Sequence, residues 1–454
     1  MTALFIENFG CRATEADTSA LRRSLVGIGM TAVPDPVLAD VVVLNTCTVT
    51  HRADAQTREA IRKIHRLNPG ARIVVTGCYA QRAPEELAAI DGVAWVVGNS
   101  RQAEIADLVR AMFDSRTASS SDLFPLAQLA DEPMSLARGP AKILTGDIFA
   151  QSIWPFPSGG STGAAPDRTR PILKIQDGCQ NRCSYCVIPL VRGRSRSLPP
   201  DEVIGEVRSL VSAGAKEIVL SGINLGSYGR DLVPRAALAA VVRRILRETT
   251  LEQLRFSSIE PQDITEEFVT LVESSDRIAP HFHVPLQSGS DRILQKMHRW
   301  YRAGHYAQRI QLIRHLLPQA AIGADVIVGF PGETREDFAA TADFISELPF
   351  SYLHVFSFSP RPGTAAEQLS LRVEAGEIRE RARALRALGE EKAARFRNSQ
   401  VGKTLRALTL DRSEDSWTEA LTGNYLKVRI PGRHPANEWH EAMVGRSLTT
   451  PSSD

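Results

Sequence analysis

The sequence has few of the features that mark membrane or secreted proteins. No run of about 18 apolar residues occurs in the 454-residue chain, which argues against a membrane span. The N-terminus, MTALFIENFGCRA, has no basic leader followed by an apolar core, which argues against a signal peptide. Only six cysteines are present, and in a reducing compartment they are more typical of metal or redox sites than of disulfides. We therefore expect a cytoplasmic protein without a membrane segment.

Neither positive nor negative charge predominates, because the chain contains 54 lysines and arginines and 52 aspartates and glutamates. The resulting net charge of +2 neither demands nor excludes a nucleic-acid partner, so any such binding would depend on local basic patches. No G-x-G-x-x-G follows the first strand, which disfavours a dinucleotide site. The length and the 43% hydrophobic content predict a globular protein of two or three domains.

The pattern of apolar runs predicts an α/β protein in four segments. Uniformly apolar strands alternate with helices over residues 1–112, as in a small parallel sheet, and the first helix is expected over residues 13–29 with Asp17 or Thr18 near its start. Residues 113–168 are rich in Ser, Gly and Pro, which predicts a flexible linker or insertion. Six strand–helix units and a long charged helix over 169–398 predict a partial (β/α)6 barrel. Residues 399–454 predict a small β module.

Three cysteines lie within eight residues of the stretch GCQNRCSYC, directly after the first barrel strand. We call Cys179, Cys183 and Cys186 the loop trio. Barrel chemistry takes place at the carboxyl ends of the strands, so this position suits a reactive centre. Three thiolates can ligate three irons of a cubane cluster and leave the fourth iron open. Structural zinc prefers four protein ligands, and no fourth cysteine or nearby histidine is present.

The spacing Cys-x3-Cys-x2-Cys, with an aromatic residue before the last cysteine, resembles the loop of radical S-adenosylmethionine enzymes. The resemblance implies that the open iron is chelated by the cofactor, and that an electron from the cluster then cleaves it to a 5′-deoxyadenosyl radical. It also implies cofactor contacts from SGIN (221–224), RFSSIE (255–260) and GADVIVGFPGE (323–333), although each could equally be an apolar strand with its turn. The implied contact residues are Tyr185, Ser221, Gly222, Asn224, Ser257, Glu260 and Val326.

The other three cysteines each follow the carboxyl end of a predicted parallel strand. We call Cys11, Cys47 and Cys78 the first trio. Loops after neighbouring parallel strands meet at one edge of a sheet, so these thiols are expected to form a second site with three protein ligands. The alternative is that they are three unrelated buried cysteines.

Six cysteines divided three and three resemble the radical S-adenosylmethionine methylthiotransferases, and the resemblance spans nearly the whole chain. Segments such as NTCTVT, GINLGSYG and DVIVGFPGET are closest to the branch that modifies N6-threonylcarbamoyladenosine at position 37 of tRNA, next to the anticodon. The isopentenyladenosine branch usually differs at two of these segments. Thr14 and Leu190 depart from the family pattern without removing a cysteine.

The resemblance implies two [4Fe–4S] clusters and S-adenosylmethionine. The loop trio would hold the cluster that makes the radical, and the first trio would hold the cluster that carries the sulfur. We expect both trios to open towards one chamber. Implied partners are the anticodon loop of tRNA, through a C-terminal module like the TRAM domain, and an electron donor such as flavodoxin or ferredoxin.

Cationic residues suggest where RNA would bind. Arginine suits phosphate, and cations mixed with aromatic residues suit single-stranded RNA, although exposed surface pairs would produce the same pattern. The predicted RNA-binding residues are Arg192, Arg194, Arg196, Lys403, Lys427 and Arg429, with Arg406 and Tyr425 nearby. His281 and His283 share one strand face, and with no carboxylate partner evident they are interpreted as polar residues lining the barrel.

Two other functions stay open from the sequence. A zinc-stapled RNA-binding protein without catalysis would explain the cysteines and the tail, but not the barrel. A radical enzyme with an electron-relay cluster and a small-molecule substrate would explain both trios without tRNA.

Overall fold

The computed structural model describes residues 2–114, 141–151, 154 and 168–445. These residues divide into two compact units. The first comprises the described residues up to 154 together with 177–181 and 186–196, and the second comprises 168–176, 182–185 and 197–445. The division therefore runs through the loop trio, whereas the sequence-based domains meet at the segment 113–168.

The first unit is built on a six-stranded sheet with the order β2-β1-β3-β4-β5-β6. All neighbouring strands pair in parallel. Its strands are β1 (Ala3–Phe9), β2 (Thr31–Ala32), β3 (Val41–Thr46), β4 (Arg72–Gly77), β5 (Val93–Gly98) and β6 (Lys142–Leu144). Its helices are α1 (Arg12–Gly27), α2 (His51–Leu67), α3 (Cys78–Arg82), α4 (Pro84–Ala88), α5 (Ile105–Asp114) and α6 (Ile188–Arg192).

Apolar strands explain why this sheet is covered on both faces. Every residue of β3 is buried, and alternate residues of β3 and β4 enter two separate hydrophobic cores. Such strands form only where helices pack on both sides of a parallel sheet. The predicted parallel sheet is confirmed.

Two details of the first unit differ from the sequence-based expectation. Helix α1 begins at Arg12, one residue before the predicted stretch, and Asp17 and Thr18 are buried side chains of the second turn instead of marking its start. Strand β6 lies inside the segment predicted as a linker and extends the sheet beyond β5. The remainder of that prediction, at 115–140 and 155–167, lies outside the described residues.

The second unit contains the six predicted barrel strands. They are β7 (Ile172–Asp177), β9 (Glu217–Gly222), β10 (Gln253–Phe256), β11 (His281–His283), β12 (Ala321–Val328) and β13 (Tyr352–Ser357), with the short β8 at Arg196–Ser197. The helices are α7 (Pro200–Ser212), α8 (Leu238–Glu248), α9 (Glu266–Glu273), α10 (Asp291–Lys296), α11 (Ala303–Leu316), α12 (Arg335–Glu347) and α13 (Ala375–Gln400).

These strands form a partial barrel. The sheet orders are β10-β9-β7-β8 and β11-β12-β13, and two isolated parallel bridges, Leu254 with Ile278 and Ser258 with His283, connect β10 to the β11 segment. Within the described residues β13 pairs only with β12, so the arc stays open. The carboxyl ends of the strands lie on one side, where the loop residues of the predicted site are found.

The C-terminal module is an antiparallel sheet with the order β16-β15-β14-β17. Its strands are β14 (Thr404–Glu414), β15 (Trp417–Thr422), β16 (Lys427–Pro431) and β17 (Trp439–Met443). The turn after β15 packs into the barrel. There the carbonyls of Thr422 and Gly423 accept hydrogen bonds of 3.2 and 2.8 Å from Arg255, a buried residue of β10. Arg255 is also paired with Glu217, the first residue of β9.

The described helices include none that combines the length and the apolar character needed to cross a bilayer.

Candidate metal and cofactor site

The first trio occupies the carboxyl ends of three adjacent parallel strands. Cys47 and Cys78 come directly after β3 and β4, and Cys11 lies two residues after β1. Since β1, β3 and β4 are neighbours in the sheet, these three positions meet at one edge. The three thiols thus lie at the strand ends where the sequence places them, and their role as the ligands of a second site stays a prediction.

Glycines beside the trio let the chain segments approach closely. A Cβ atom at Gly10 would lie 2.9 Å from the Cβ of Cys47, too close for any side chain. Gly77 has a φ of +99°, and a Cβ there would lie 2.4 Å from the carbonyl oxygen of Thr46. Glycine is therefore required at both positions if the cysteines are to converge.

The thiols of the trio affect one another electrostatically. Burial raises the pKa of Cys47, and the neighbouring Cys11 and Cys78 raise it further. Burial also raises the pKa of Cys78, which is 1% exposed. Neighbouring thiols of this kind are a donor set suited to iron, because metal binding deprotonates thiols outright.

A buried arginine lies next to the first trio. Arg192 is 1% exposed, and it donates hydrogen bonds of 2.8 Å to Asp17 and 2.9 Å to Asp177. Although burial disfavours its charge, the neighbouring thiol of Cys78 and the carboxylates raise the pKa of Arg192 well above its ordinary value. The prediction that Arg192 binds RNA phosphate is therefore wrong, because both ends of its guanidinium are occupied inside the unit.

The segment after Cys186 packs on the first trio. Val187 and Val191 form a hydrophobic cluster with Cys78, and Asn99 donates a hydrogen bond of 2.8 Å to the carbonyl of Val191. The same amide group of Asn99 lies 3.5 Å from the sulfur of Cys78. This packing fixes the segment after Cys186 against Cys78 within the first unit. The expectation that both trios open towards one chamber stays a prediction.

The other two arginines of this segment differ from each other. Arg196 is buried, donates to the carbonyls of Gln151 and Arg192, and lies 3.5 Å from Asp177. Its predicted role in RNA binding is wrong for the same reason as for Arg192. Arg194 is exposed and stays a candidate for RNA contact.

In the second unit, Cys183 lies against a buried ion pair. Arg299 donates a hydrogen bond of 3.2 Å to its sulfur and pairs with Glu260. Burial raises the pKa of Cys183, whereas Arg299 lowers it. The loop is fixed at the next residue, where the backbone N–H of Ser184 donates to the carbonyl of Met297. Arg299 was not predicted from the sequence, because nothing in MHRWYRAG marks it as a cysteine partner.

Two predicted cofactor contacts leave buried polar atoms without partners. Asn224 follows β9 and Ser257 follows β10, and both are buried. Among the described residues, neither the Oδ1 of Asn224 nor the Oγ of Ser257 has a hydrogen-bond partner. Buried polar atoms are usually satisfied, so these two fit a polar ligand such as S-adenosylmethionine.

The remaining predicted cofactor contacts lie on neighbouring strands. Ser221 and Gly222 end β9, and Val326 is fully buried in β12. Burial raises the pKa of Glu260, whose carboxylate is already paired with Arg299. Tyr185 packs against an apolar cluster that includes Ile293 and Phe330. Their contacts with a cofactor stay predictions.

The predicted RNA-binding residues of the tail already have protein partners. Lys427 pairs with Glu419 at 3.1 Å, and Lys403 donates to Gln319. Arg429 is exposed and stacks on the ring of Trp417 at 4.0 Å. Their binding to RNA stays a prediction.

One of the two strand histidines, His283, has a carboxylate partner after all. His283 and His354 both lie within 3.1 Å of one carboxylate oxygen of Asp325. His281 and His283 also share the hydroxyl of Tyr352. The network runs across β11, β12 and β13, and its carboxylate comes from β12, so it could not be recognised next to the histidines in the sequence.

Two segments of the chain match the sequence models of known protein families. Residues 3–98 match the family described as "Uncharacterized protein family UPF0004", and residues 173–345 match the "Radical SAM superfamily". Among solved structures, the radical S-adenosylmethionine methyltransferase TsrM from Kitasatospora setae has a TM-score of 0.55 and covers 81% of this chain and 77% of its own. At 18% sequence identity this likeness supports the fold alone.

Curated relatives match over nearly the full length. The threonylcarbamoyladenosine tRNA methylthiotransferase MtaB of Aquifex aeolicus is 35% identical over 427 residues, 94% of this chain and 96% of that protein. A tRNA-2-methylthio-N(6)-dimethylallyladenosine synthase of Syntrophobacter fumaroxidans is also 35% identical, over 367 residues, 80% of this chain and 75% of that protein. Radical S-adenosylmethionine enzymes use that cofactor together with a [4Fe–4S] cluster, and the residues described above fit both. The chain belongs to the family of radical S-adenosylmethionine tRNA methylthiotransferases.

Proposed function

We propose that the protein adds a methylthio group to carbon 2 of N6-threonylcarbamoyladenosine at position 37 of tRNA. The observation that carries this proposal is the 35% identity with the Aquifex MtaB protein across 94% of the chain. The placement of the six cysteines supports it, because the first trio follows three neighbouring parallel strands and the loop trio lies in the loop after β7, and each trio offers three sulfur ligands.

The first trio would hold one [4Fe–4S] cluster and the loop trio another. When bound, these clusters and S-adenosylmethionine would supply the electron, the carbon radical and the sulfur that insertion at an unactivated C–H bond requires. A small redox protein such as flavodoxin or ferredoxin would deliver the electron.

The contribution of the protein itself is orientation and charge. Arg299 donates a hydrogen bond to the sulfur of Cys183, and the carboxylate of Glu260 forms an ion pair with Arg299. Gln176 accepts a hydrogen bond of 2.7 Å from the backbone N–H of Asn224 and so fixes the loop after β9. Burial of these groups limits water near the reacting atoms, which protects a radical from side reactions.

Ser257 gives a direct test of the cofactor site. Replacing it by alanine removes one buried hydroxyl without an internal partner, so the fold should be unaffected. A lost hydrogen bond of about 0.5–1.5 kcal/mol predicts affinity for S-adenosylmethionine about two- to twelvefold weaker. Equilibrium dialysis on the anaerobic protein measures it, with the exposed Ser212→Ala on α7 as the control. Unchanged affinity for the Ser257→Ala chain would remove Ser257 from the cofactor site.

Arg194 gives a test of the RNA site. The Arg194→Gln substitution removes one exposed cation, so tRNA affinity should fall severalfold at low salt. The negative slope of log affinity against log salt concentration should become shallower by about 0.7 for one lost contact to single-stranded RNA. Filter binding over a salt series measures both quantities. Arg110→Gln, an exposed arginine paired with Asp107, is the matched control. Identical curves for Arg194→Gln and the unsubstituted protein would exclude Arg194 from the RNA contact.

The modified nucleoside decides the substrate. Nucleoside mass spectrometry of tRNA from cells lacking the gene should show loss of the 2-methylthio form of N6-threonylcarbamoyladenosine and accumulation of its precursor. The relative named for dimethylallyladenosine supports a second candidate, for which the 2-methylthio form of that nucleoside would disappear instead. Unchanged levels of both would overturn the tRNA assignment.

A further inference from the structure

We propose that Arg192 is a positioning residue of the first trio, which compensates the negative charge of the cluster held there and raises its reduction potential. The inference rests on the proposed function, because that function assigns an iron–sulfur cluster to Cys11, Cys47 and Cys78.

The guanidinium is held firmly in place. One nitrogen donates to Asp17 in α1, and the other donates to Asp177 at the end of β7. All three side chains are buried. A buried arginine fixed at two points keeps its charge in one position.

The third donor of this guanidinium has no acceptor. Among the described residues, the Nε of Arg192 is buried and has no hydrogen-bond partner. Arg192 directly follows Val191, which packs against Cys78 in one buried cluster, so the guanidinium belongs to the immediate surroundings of the first trio. A buried donor without an acceptor is costly. The sulfur atoms of a bound cluster are the kind of acceptor that this position offers.

The charges predict the sign of the effect. A cluster held by three thiolates is negative, and hydrogen bonds to its sulfurs or a nearby positive charge favour the reduced form. Arg192 contributes one positive charge, which Asp17 and Asp177 partly offset. Removing the arginine should therefore lower the potential, whereas removing the charge of Asp17 should raise it.

The position of Arg192 in the chain adds a connection between the two trios. It lies six residues after Cys186, at the end of α6, and α6 packs on the helix that begins with Cys78. One short segment thus supplies a ligand to the loop trio and the counter-charge to the first trio.

The test uses the full chain with all three loop-trio cysteines replaced by alanine, so that only the first trio can bind a cluster. After anaerobic reconstitution, iron content is measured and the reduction potential is determined by a redox titration followed by electron paramagnetic resonance. Arg192→Gln is compared with Arg110→Gln, an exposed arginine of the same unit. We expect Arg192→Gln to shift the reduction equilibrium of the cluster at least about tenfold towards the oxidised form, which lowers the reduction potential by about 59 mV for a one-electron couple. We expect no such shift in Arg110→Gln.

A second variant covers the case in which Arg192→Gln does not fold. Asp17→Asn keeps the shape of the side chain and removes one negative charge, so its potential should shift in the opposite direction. Unchanged potentials in the folded variants, or a shift of the same sign in both, would overturn the inference. A parent chain that binds no iron would overturn instead the assignment of a cluster to the first trio, so the two failures can be told apart.

Discussion

Replacing Cys183 by alanine is expected to abolish the release of 5′-deoxyadenosine from S-adenosylmethionine. The substitution leaves only two cysteines in the loop trio and leaves Arg299 without the sulfur to which it donates. Two thiolates do not suffice for a cluster that needs three protein ligands and one open iron. The expected result is loss of 5′-deoxyadenosine down to the level of a reaction without enzyme, measured by liquid chromatography under dithionite.

Two controls make this result specific. Circular dichroism should show an intact fold, and iron content should fall from about eight to about four atoms per chain, because the first trio keeps its own cluster. Release of 5′-deoxyadenosine at the rate of the unsubstituted protein would show that Cys183 is not a ligand.

Replacing Cys47 by alanine is expected to stop methylthio insertion while sparing part of the cofactor cleavage. Cys47 directly follows β3, the strand between β1 and β4, and it is buried. The substitution therefore removes one ligand from the first trio and leaves all three cysteines of the loop trio in place. Radical formation depends on the loop trio alone, whereas the inserted sulfur depends on the first trio. The 2-methylthio nucleoside should therefore disappear from tRNA assays while 5′-deoxyadenosine is still released.

The two cysteine variants must be measured side by side. Mass spectrometry of the tRNA nucleosides and chromatography of 5′-deoxyadenosine on the same samples give both products. Equal loss of 5′-deoxyadenosine in Cys47→Ala and Cys183→Ala would contradict the division of labour between the trios.

The backbone around the cysteines could be predicted well because it follows from local patterns. Apolar runs such as VVVLNT form strands that must be buried on both faces, and the residue after such a strand lies at a known edge of the sheet. The placement of Cys47 and Cys78 required nothing more than this pattern. Strand β6 was missed because three residues within a Ser-, Gly- and Pro-rich segment give too short a signal.

The side-chain contacts of the arginines could not be predicted in the same way. In VRGRSRS three arginines alternate with small residues, and nothing in that pattern shows which of them are buried. The partners that distinguish them come from distant segments, since Asp17 lies 175 residues before Arg192. The carboxylate between His283 and His354 was missed for the same reason, because Asp325 becomes their neighbour only through strand pairing.

The turn after β15 has a consequence for how this protein can be divided. Arg255 is a buried residue of the barrel strand β10, yet two of its hydrogen-bond acceptors are carbonyls of the C-terminal module. In addition, the ring of Tyr425 in that module stacks on the ring of His281, with 4.3 Å between the ring centroids. Cutting the chain before β14 would leave the buried guanidinium of Arg255 with Glu217 but without these two carbonyl acceptors, and it would open an aromatic stack to water. The C-terminal module is thus part of the same folding unit as the barrel and not a separable domain. The barrel and the module should therefore unfold together in one cooperative transition.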